Sequence, residues 1–189
     1  MTNSTMLALG TEAPDFLLED VISGEMVAKK SFSEQPLLVM FICAHCPFVV
    51  HVQEELGKLS QDFEGKLAIV GISSNDIETH PEDAPAHLKA QAEKYGFKFP
   101  YLFDATQEVA KSYTAACTPD FFLFDASGKL AYRGQLDSSR PGSDIEVDGS
   151  DLRAALDGLL SGGKLPENQI PSIGCNIKWK QGNEPDYFG

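Results

Sequence analysis

The chain has 189 residues, 42% hydrophobic and 10% aromatic, enough for a real core and too apolar for a largely disordered polypeptide. Fifteen Lys and Arg against 28 Asp and Glu leave a formal charge of −13, which excludes a phosphate-tracking nucleic-acid surface built on clustered cations. Four cysteines are too few for a disulfide scaffold, so any cysteine chemistry is local.

At roughly 150 residues per domain, the length predicts one domain with appendages. Residues 1–10 carry no basic region and no apolar run of signal type. The longest apolar stretch, Leu37–Cys43, is far short of the ~20 residues of a membrane span. The expected setting is cytoplasmic, with no membrane contact. In that compartment a close cysteine pair is more often redox-active or metal-bound than structural.

Up to residue 30 the chain reads as an N-terminal extension, with a turn at Ser23-Gly24 between the short apolar stretches Phe16–Leu18 and Met26–Ala28. Pro36–Cys43 is continuously apolar and predicts a strand buried on both faces. From Pro47 the period changes: Phe48, Val52, Leu56, Leu59 and Phe63 mark one face of a helix. Lys66–Ser73 returns to strand character. A second helix is predicted over Pro85–Tyr95, stopped by Gly96. Phe99–Phe103 reads as a short extended piece. Asp104 is the expected N-cap of the next helix, with Gln107 in the capping-box position. Asp120–Phe124 and Leu130–Arg133, joined through Asp125-Ala-Ser-Gly128, predict a hairpin. Ser150 is the expected cap of a last helix carrying Leu152, Leu156, Leu159 and Leu160.

This order predicts an α/β fold with a parallel core and an antiparallel edge. Residues 1–163 form the expected domain. Residues 164–189, rich in Pro, Gly and Asn, read as an irregular C-terminal tail that docks through Ile170, Ile173, Ile177 and Trp179.

The chemistry concentrates in Cys43-Ala-His-Cys46-Pro47, where a buried strand hands over to a helix. Proline favours the first helical position, so Cys46 falls at the N-cap and Cys43 in the strand-end loop. A thiolate at a helix N-terminus is stabilised by the dipole and by unpaired N–H groups, and a protonated His45 would act in the same sense. Cys46 is therefore the expected nucleophile, which must be accessible, and Cys43 its partner in a local disulfide. Lone cysteines usually pack as small hydrophobes, but two flanking a histidine at such a junction fit that account poorly. One CxxC supplies two of the four ligands of a structural zinc site, and no second pair follows, so no metal or other cofactor is expected.

The buried strand, the CxxC after it, and Thr118-Pro119 just before another strand together resemble the thioredoxin superfamily. Gly10-Thr-Glu-Ala-Pro-Asp-Phe16 resembles the start of the peroxiredoxin and redoxin branch, so the likeness covers residues 10–161. Cys117-Thr-Pro-Asp-Phe-Phe-Leu-Phe-Asp125 and the Gly-Cys-Asn-Ile-Lys-Trp tail extend it toward bacterial peroxiredoxin-like redoxins of the alkyl hydroperoxide reductase/thiol-specific antioxidant type. The resemblance implies a thioredoxin-like fold, a central mixed sheet flanked by helices. It also implies a cis peptide at Pro119 beside the active-site sulfurs. Against thioredoxin, Cys46 takes the first cysteine's place, Val49 stands where the second would be, and Met40 replaces the buried acid. Against peroxiredoxins, Cys46-Pro47 matches the peroxidatic pair and Cys43 replaces the threonine that orients peroxide. No arginine stands at the matching site, with Arg133 and Arg140 the nearest later ones.

Peroxide activation needs donors that stabilise charge on the leaving oxygen. Thiol–disulfide exchange needs an activated thiolate, access and a resolving thiol. The sequence therefore favours a thiol–disulfide oxidoreductase, with a disulfide-containing protein or small molecule as substrate and a cellular thiol as reductant. The alternatives are a thiol peroxidase acting on hydroperoxides, with antioxidant activity, and a redox-quiet binding module. Cys117 reads as a buried loop cysteine near Pro119, with a third redox thiol as the alternative. Cys175 reads as an incidental tail thiol, unless the tail folds over the site and lets it resolve Cys46. Asn75–Asp83, with four carboxylates and His80, reads as a solvated loop leading to a helix cap at Asp83, and Asp137–Asp144 as an exposed connector. His51 and His87 read as ordinary helix-surface or boundary residues.

Overall fold

Every side chain of Leu37–Phe41 is buried, yet the residues divide by parity. Leu38 and Met40 enter one apolar cluster, while Leu37, Val39 and Phe41 enter another. This two-sided burial is what a continuous apolar strand needs, and it places that strand mid-sheet.

The structure, a computed structural model, describes residues 1–188. In chain order the elements are β1 (Thr2–Asn3), β2 (Leu17–Asp20), β3 (Met26–Ala28), β4 (Leu37–Phe41), α1 (Pro47–Asp62), β5 (Ala68–Ser73), α2 (Pro85–Tyr95), β6 (Tyr101–Phe103), α3 (Glu108–Ser112), β7 (Cys117–Thr118), β8 (Asp120–Phe124), β9 (Leu130–Arg133), α4 (Ser150–Leu160) and β10 (Ile173–Asn176). The main sheet has seven strands in the order β3-β2-β6-β5-β4-β8-β9. β4, β5 and β6 run parallel, and β8 turns antiparallel against β4 and pairs with β9. Helices α1, α2 and α4 bury Leu56, Leu88 and Leu156 on one face, and α3 buries Val109 and Ala110 on the other. The fold is therefore α/β, a mixed sheet flanked by helices.

Gly96 sits in the left-handed region at φ 66° and ends α2 as expected. Three caps differ from expectation. The short helix α3 begins at Glu108, and its cap position is Gln107, held at φ 67°. Asp104 still serves that helix, accepting from the Ala110 N–H at 3.0 Å, but Gln107 reaches away from it. The Gln107 amide donates to the carbonyls of Ser74 and Lys178 and accepts from Lys180 N–H, so this fully buried side chain grips the C-terminal segment. Helix α4 begins at Ser150 with Gly149 at its cap, because Gly149 takes the left-handed turn at φ 65°. Ala84, not Asp83, precedes α2.

The segment read as an irregular tail contains β10, which lies between β1 and β7 in a second, three-stranded antiparallel sheet. Thr2 pairs with Gly174 and Cys175 with Thr118. The strand had no alternation to reveal it; the partner edges define it. Gly174 makes the approach possible, since a Cβ there would lie 2.0 Å from the Thr118 carbonyl oxygen. Beyond it, Ile177 and Trp179 are buried in the α3-side core. The connector after β9 is also more buried than expected. Asp137 is 2% exposed and accepts from the Asp148 and Gly149 N–H groups, folding the start of this loop inward. Among the described residues, no helix is long and apolar enough to cross a membrane.

Candidate active site

Helix α1 begins at Pro47, placing Cys46 at its N-cap in extended geometry (φ −63°, ψ 124°). Cys43 lies just past β4, and the Thr118-Pro119 bond is cis, as expected. Thr118 joins the two cysteines: its Oγ1 lies 3.5 Å from Cys43 Sγ, and its carbonyl oxygen lies 3.2 Å from Cys46 Sγ. All four cysteines are free thiols.

The two thiols of the pair are driven apart electrostatically. Hydrogen bonding from Cys43 is the main force lowering the Cys46 pKa to about 4, with smaller help from Cys175, Thr118 and the Val49 amide, against desolvation. Burial pushes Cys43 well above the ordinary thiol range, reinforced by its bond to Cys46 and by the negative charge of Asp83. Cys46 is thus the thiolate and Cys43 the thiol that donates to it. The Thr118 carbonyl is an unfavourable neighbour of that thiolate and suits the protonated form.

The His45 ring turns to Asp83: its Nδ1 lies 2.5 Å from Asp83 Oδ2, and it stacks on His80 at 5.1 Å between centroids. The loop read as solvated is instead part of the site. Asp83 is 0% exposed, and its Oδ1 accepts the backbone N–H groups of Ala44 and His45 at 2.8 and 3.0 Å. Its Oδ2 faces His45 and accepts the Asn75 amide at 2.7 Å. Asp83 therefore holds the turn between the two cysteines. Cys43, His45 and Asp83 offer ligand atoms within 4.8 Å of one another. With both Asp83 oxygens already committed to four contacts, little lone-pair capacity remains for a cation, and the donor set fits a hydrogen-bond network better. No signal in the acidic run Asn75–Asp83 marked one carboxylate as buried.

Arg133 donates to Gln169, and Arg140 to Gln135 and the carbonyls of Asp137 and Ser139. His51 bonds Ser139 Oγ at 3.1 Å, as a boundary residue would. Cys117 is fully buried, and desolvation raises its pKa well above the ordinary range, with Asp120 adding to it. Cys175 is half-buried and packs against the core cluster that contains Cys43 and Cys46. Burial, then hydrogen bonding to Cys46, raises it to about 11.

One expectation fails outright: Cys46 is 0% exposed. The strand β10 is laid along β7, and its Cys175 stands at Thr118, the residue that touches both sulfurs.

Asp120, directly after the cis proline, is fully buried with Oδ1 unpartnered, and desolvation raises its pKa from 3.8 to about 7. A group that binds its proton more tightly when folded stabilises the fold fully below pH 3.8 and loses that contribution as pH rises through about 7. Asp120→Asn removes the loss. The variant is expected to gain stability relative to the parent between pH 4 and 7, by at most about 4 kcal/mol, with no further change above. Urea unfolding of the reduced proteins across that range measures it; a difference that does not vary with pH would show that Asp120 is ionised throughout.

Comparison with known proteins decides the family. The AhpC/TSA family profile matches residues 9–133. The chain belongs to the AhpC/TSA family. This AhpC/TSA chain is 54% identical to an uncharacterized conserved protein from Geobacillus kaustophilus, with a TM-score of 0.92 over 95% of this chain and 96% of that one. It is similar to the thioredoxin domain of the thiol-disulfide oxidoreductase BVU-2223 from Bacteroides vulgatus, at 25% identity and a TM-score of 0.57 over 67% and 88% of the two chains. Among curated relatives, the thiol-disulfide oxidoreductase ResA of Geobacillus thermodenitrificans is 24% identical over 132 residues, 68% of this AhpC/TSA chain and 70% of the relative. The fold is thus the thioredoxin-like one.

Proposed function

We propose that the chain is a thiol–disulfide oxidoreductase in which Cys46 is the nucleophile and Cys43 resolves the mixed disulfide. The observation that carries this reading is the pair itself: Cys46 caps α1, Cys43 ends the strand before it, and both sulfurs meet Thr118 beside the cis proline, with Cys46 pushed down to about 4 and Cys43 pushed up. Cys46 is buried in the reduced protein, so the forward reaction begins with a local opening of the site; the Cys46 thiolate then attacks a disulfide sulfur and expels one substrate thiolate. Cys43 then attacks Cys46 Sγ, expelling the second substrate thiolate and leaving a Cys43–Cys46 disulfide. A cellular thiol re-reduces the pair, and no cofactor is required. A cytoplasmic setting would keep this pair reduced between turnovers. The likeness to thiol-disulfide oxidoreductases supports the reading. Residues 1–163 would carry the chemistry, with the described part of the tail, residues 164–188, packed against them.

The family match keeps a thiol peroxidase as the second reading. Against it stand a cysteine where peroxiredoxins orient peroxide with threonine, and the two candidate arginines, Arg133 and Arg140, which bond Gln169, Gln135 and the carbonyls of Asp137 and Ser139. Stopped-flow mixing of the reduced protein with a protein disulfide, and separately with hydrogen peroxide, ranks the two. Exchange predicts the faster oxidation by the disulfide, with Cys43 and Cys46 joined in the product. Faster oxidation by peroxide, with Cys46 passing through a sulfenic acid, reverses the order.

A further inference from the structure

The nucleophile of the proposed reaction has no exposed surface, whereas one of its neighbours does. Cys46 is 0% exposed, while Cys175 is half-buried and lines an open groove of about 480 Å³. The groove is bounded by Met1, His80, Lys178, Trp179 and Phe188. It has aromatic surface and a lysine, in a chain whose net charge is −13. One wall, His80, stacks on His45 within the CxxC turn, so the groove opens beside the pair.

The position of Cys175 is fixed by packing. Its strand is paired on both edges, with β1 and with β7. Cys175 lies opposite Thr118, whose side chain meets Cys43 and whose carbonyl meets Cys46. Gly174 beside it is seated so close to Thr118 that no side chain would fit. Cys175 packs against the cluster that contains Cys43 and Cys46, and it also lines the groove.

We propose that Cys175 is the surface terminus of a three-thiol relay, through which a reducing dithiol protein docked in the groove delivers electrons to the Cys43–Cys46 disulfide. The proposal rests on the exchange reading given above. In the oxidised protein, the Cys175 thiol loses its proton and attacks Cys46 Sγ. The Cys43–Cys46 bond breaks, and Cys43 leaves with the electron pair and takes up a proton. The first partner thiolate then attacks Cys175 Sγ. The Cys46–Cys175 bond breaks, and Cys46 leaves as a thiolate stabilised by its hydrogen-bond donors, which makes it the better leaving group. The second partner thiol attacks its own sulfur in the mixed disulfide and expels Cys175, which is reprotonated. Two electrons have moved: the partner departs as a disulfide, and Cys43 and Cys46 are reduced.

The test has three arms, all on the full chain. Peptide mapping of the diamide-oxidised parent protein establishes whether Cys43 and Cys46 are joined. The same mapping of oxidised Cys43→Ser is expected to find Cys46 joined to Cys175. Reduction of the oxidised parent by a thioredoxin-class dithiol protein is expected to be at least tenfold faster than reduction of oxidised Cys175→Ser, a half-buried site at which the hydroxyl fits. If the parent forms no Cys43–Cys46 disulfide, the exchange reading falls and the relay with it. A joined pair in the parent without a Cys46–Cys175 bond in the variant overturns the relay alone, and so do equal reduction rates.

Discussion

Replacing Cys46 by serine is expected to lower the rate of disulfide reduction by at least about 10³-fold while leaving the fold intact. A serine hydroxyl is not ionised at neutral pH, so the substitution removes the attacking species itself and not merely its orientation. Serine is close to isosteric, and the N-cap position at the start of α1 accepts it readily, so stability should hold or improve slightly. Insulin-disulfide reduction coupled to a thiol donor measures the rate, and far-UV circular dichroism checks the fold. Residual activity within tenfold of the parent would assign the nucleophile elsewhere.

The neighbouring cysteine sharpens this test through pH. Cys46 alkylation in the parent should follow a titration with a midpoint near pH 4, flat through neutrality. Because hydrogen bonding from Cys43 is the largest cause of that low value, Cys43→Ala should move the midpoint upward. Cys43→Ser keeps a donor and should move it less. Combined with Cys175→Ser, which removes the second thiol in reach of Cys46, both variants should accumulate a mixed disulfide with substrate.

Much of this arrangement is legible in the sequence, for identifiable reasons. The β4 run Leu37–Phe41, the α1 stripe of Val52, Leu56 and Leu59, and Pro47 all carry local signals strong enough to place the CxxC at a strand-to-helix junction. The cis bond at Thr118-Pro119 was legible only through the resemblance to the thioredoxin superfamily. What was hidden depends on partners distant in the chain. β10 has no periodicity of its own, and its existence as a strand comes from the edges of β1 and β7. Cys175 thereby reaches Thr118, and the cover over Cys46 follows from the same pairing. Asp83 and Gln107 both sit in polar stretches that read as solvated or as caps. Each is 0% exposed because backbone groups from other segments converge on it, which no local pattern encodes. Asp120 shows a related limit: its position in a hydrophobic strand was visible, but its unpartnered oxygen was not.

Asp83 carries the second large expected effect, because one buried carboxylate does two jobs. It holds the turn through two backbone N–H groups, Ala44 and His45, and ties that turn to the Asn75 segment through an amide. Asp83→Ala strands these donors without water, at about 1–3 kcal/mol for each group left unsatisfied, so a total loss of roughly 3–5 kcal/mol is expected in urea unfolding. Asp83→Asn retains one carbonyl oxygen for the two backbone donors and should recover part of that loss. Its second effect separates charge from scaffolding. The Asp83 carboxylate helps hold Cys43 protonated, so both variants remove its charge and should lower the Cys43 pKa, read by alkylation in Cys46→Ser proteins where Cys43 titrates without its partner thiolate. A narrower split between the two thiols follows, because the Cys43 pKa falls toward that of Cys46. If Asp83→Asn leaves the Cys43 titration unmoved, the carboxylate is a structural clamp alone. If Asp83→Ala also unfolds at the urea concentration of the parent, the turn between the cysteines is held by the remaining contacts, chiefly the Gln91 amide donating to the Cys43 carbonyl at 3.3 Å.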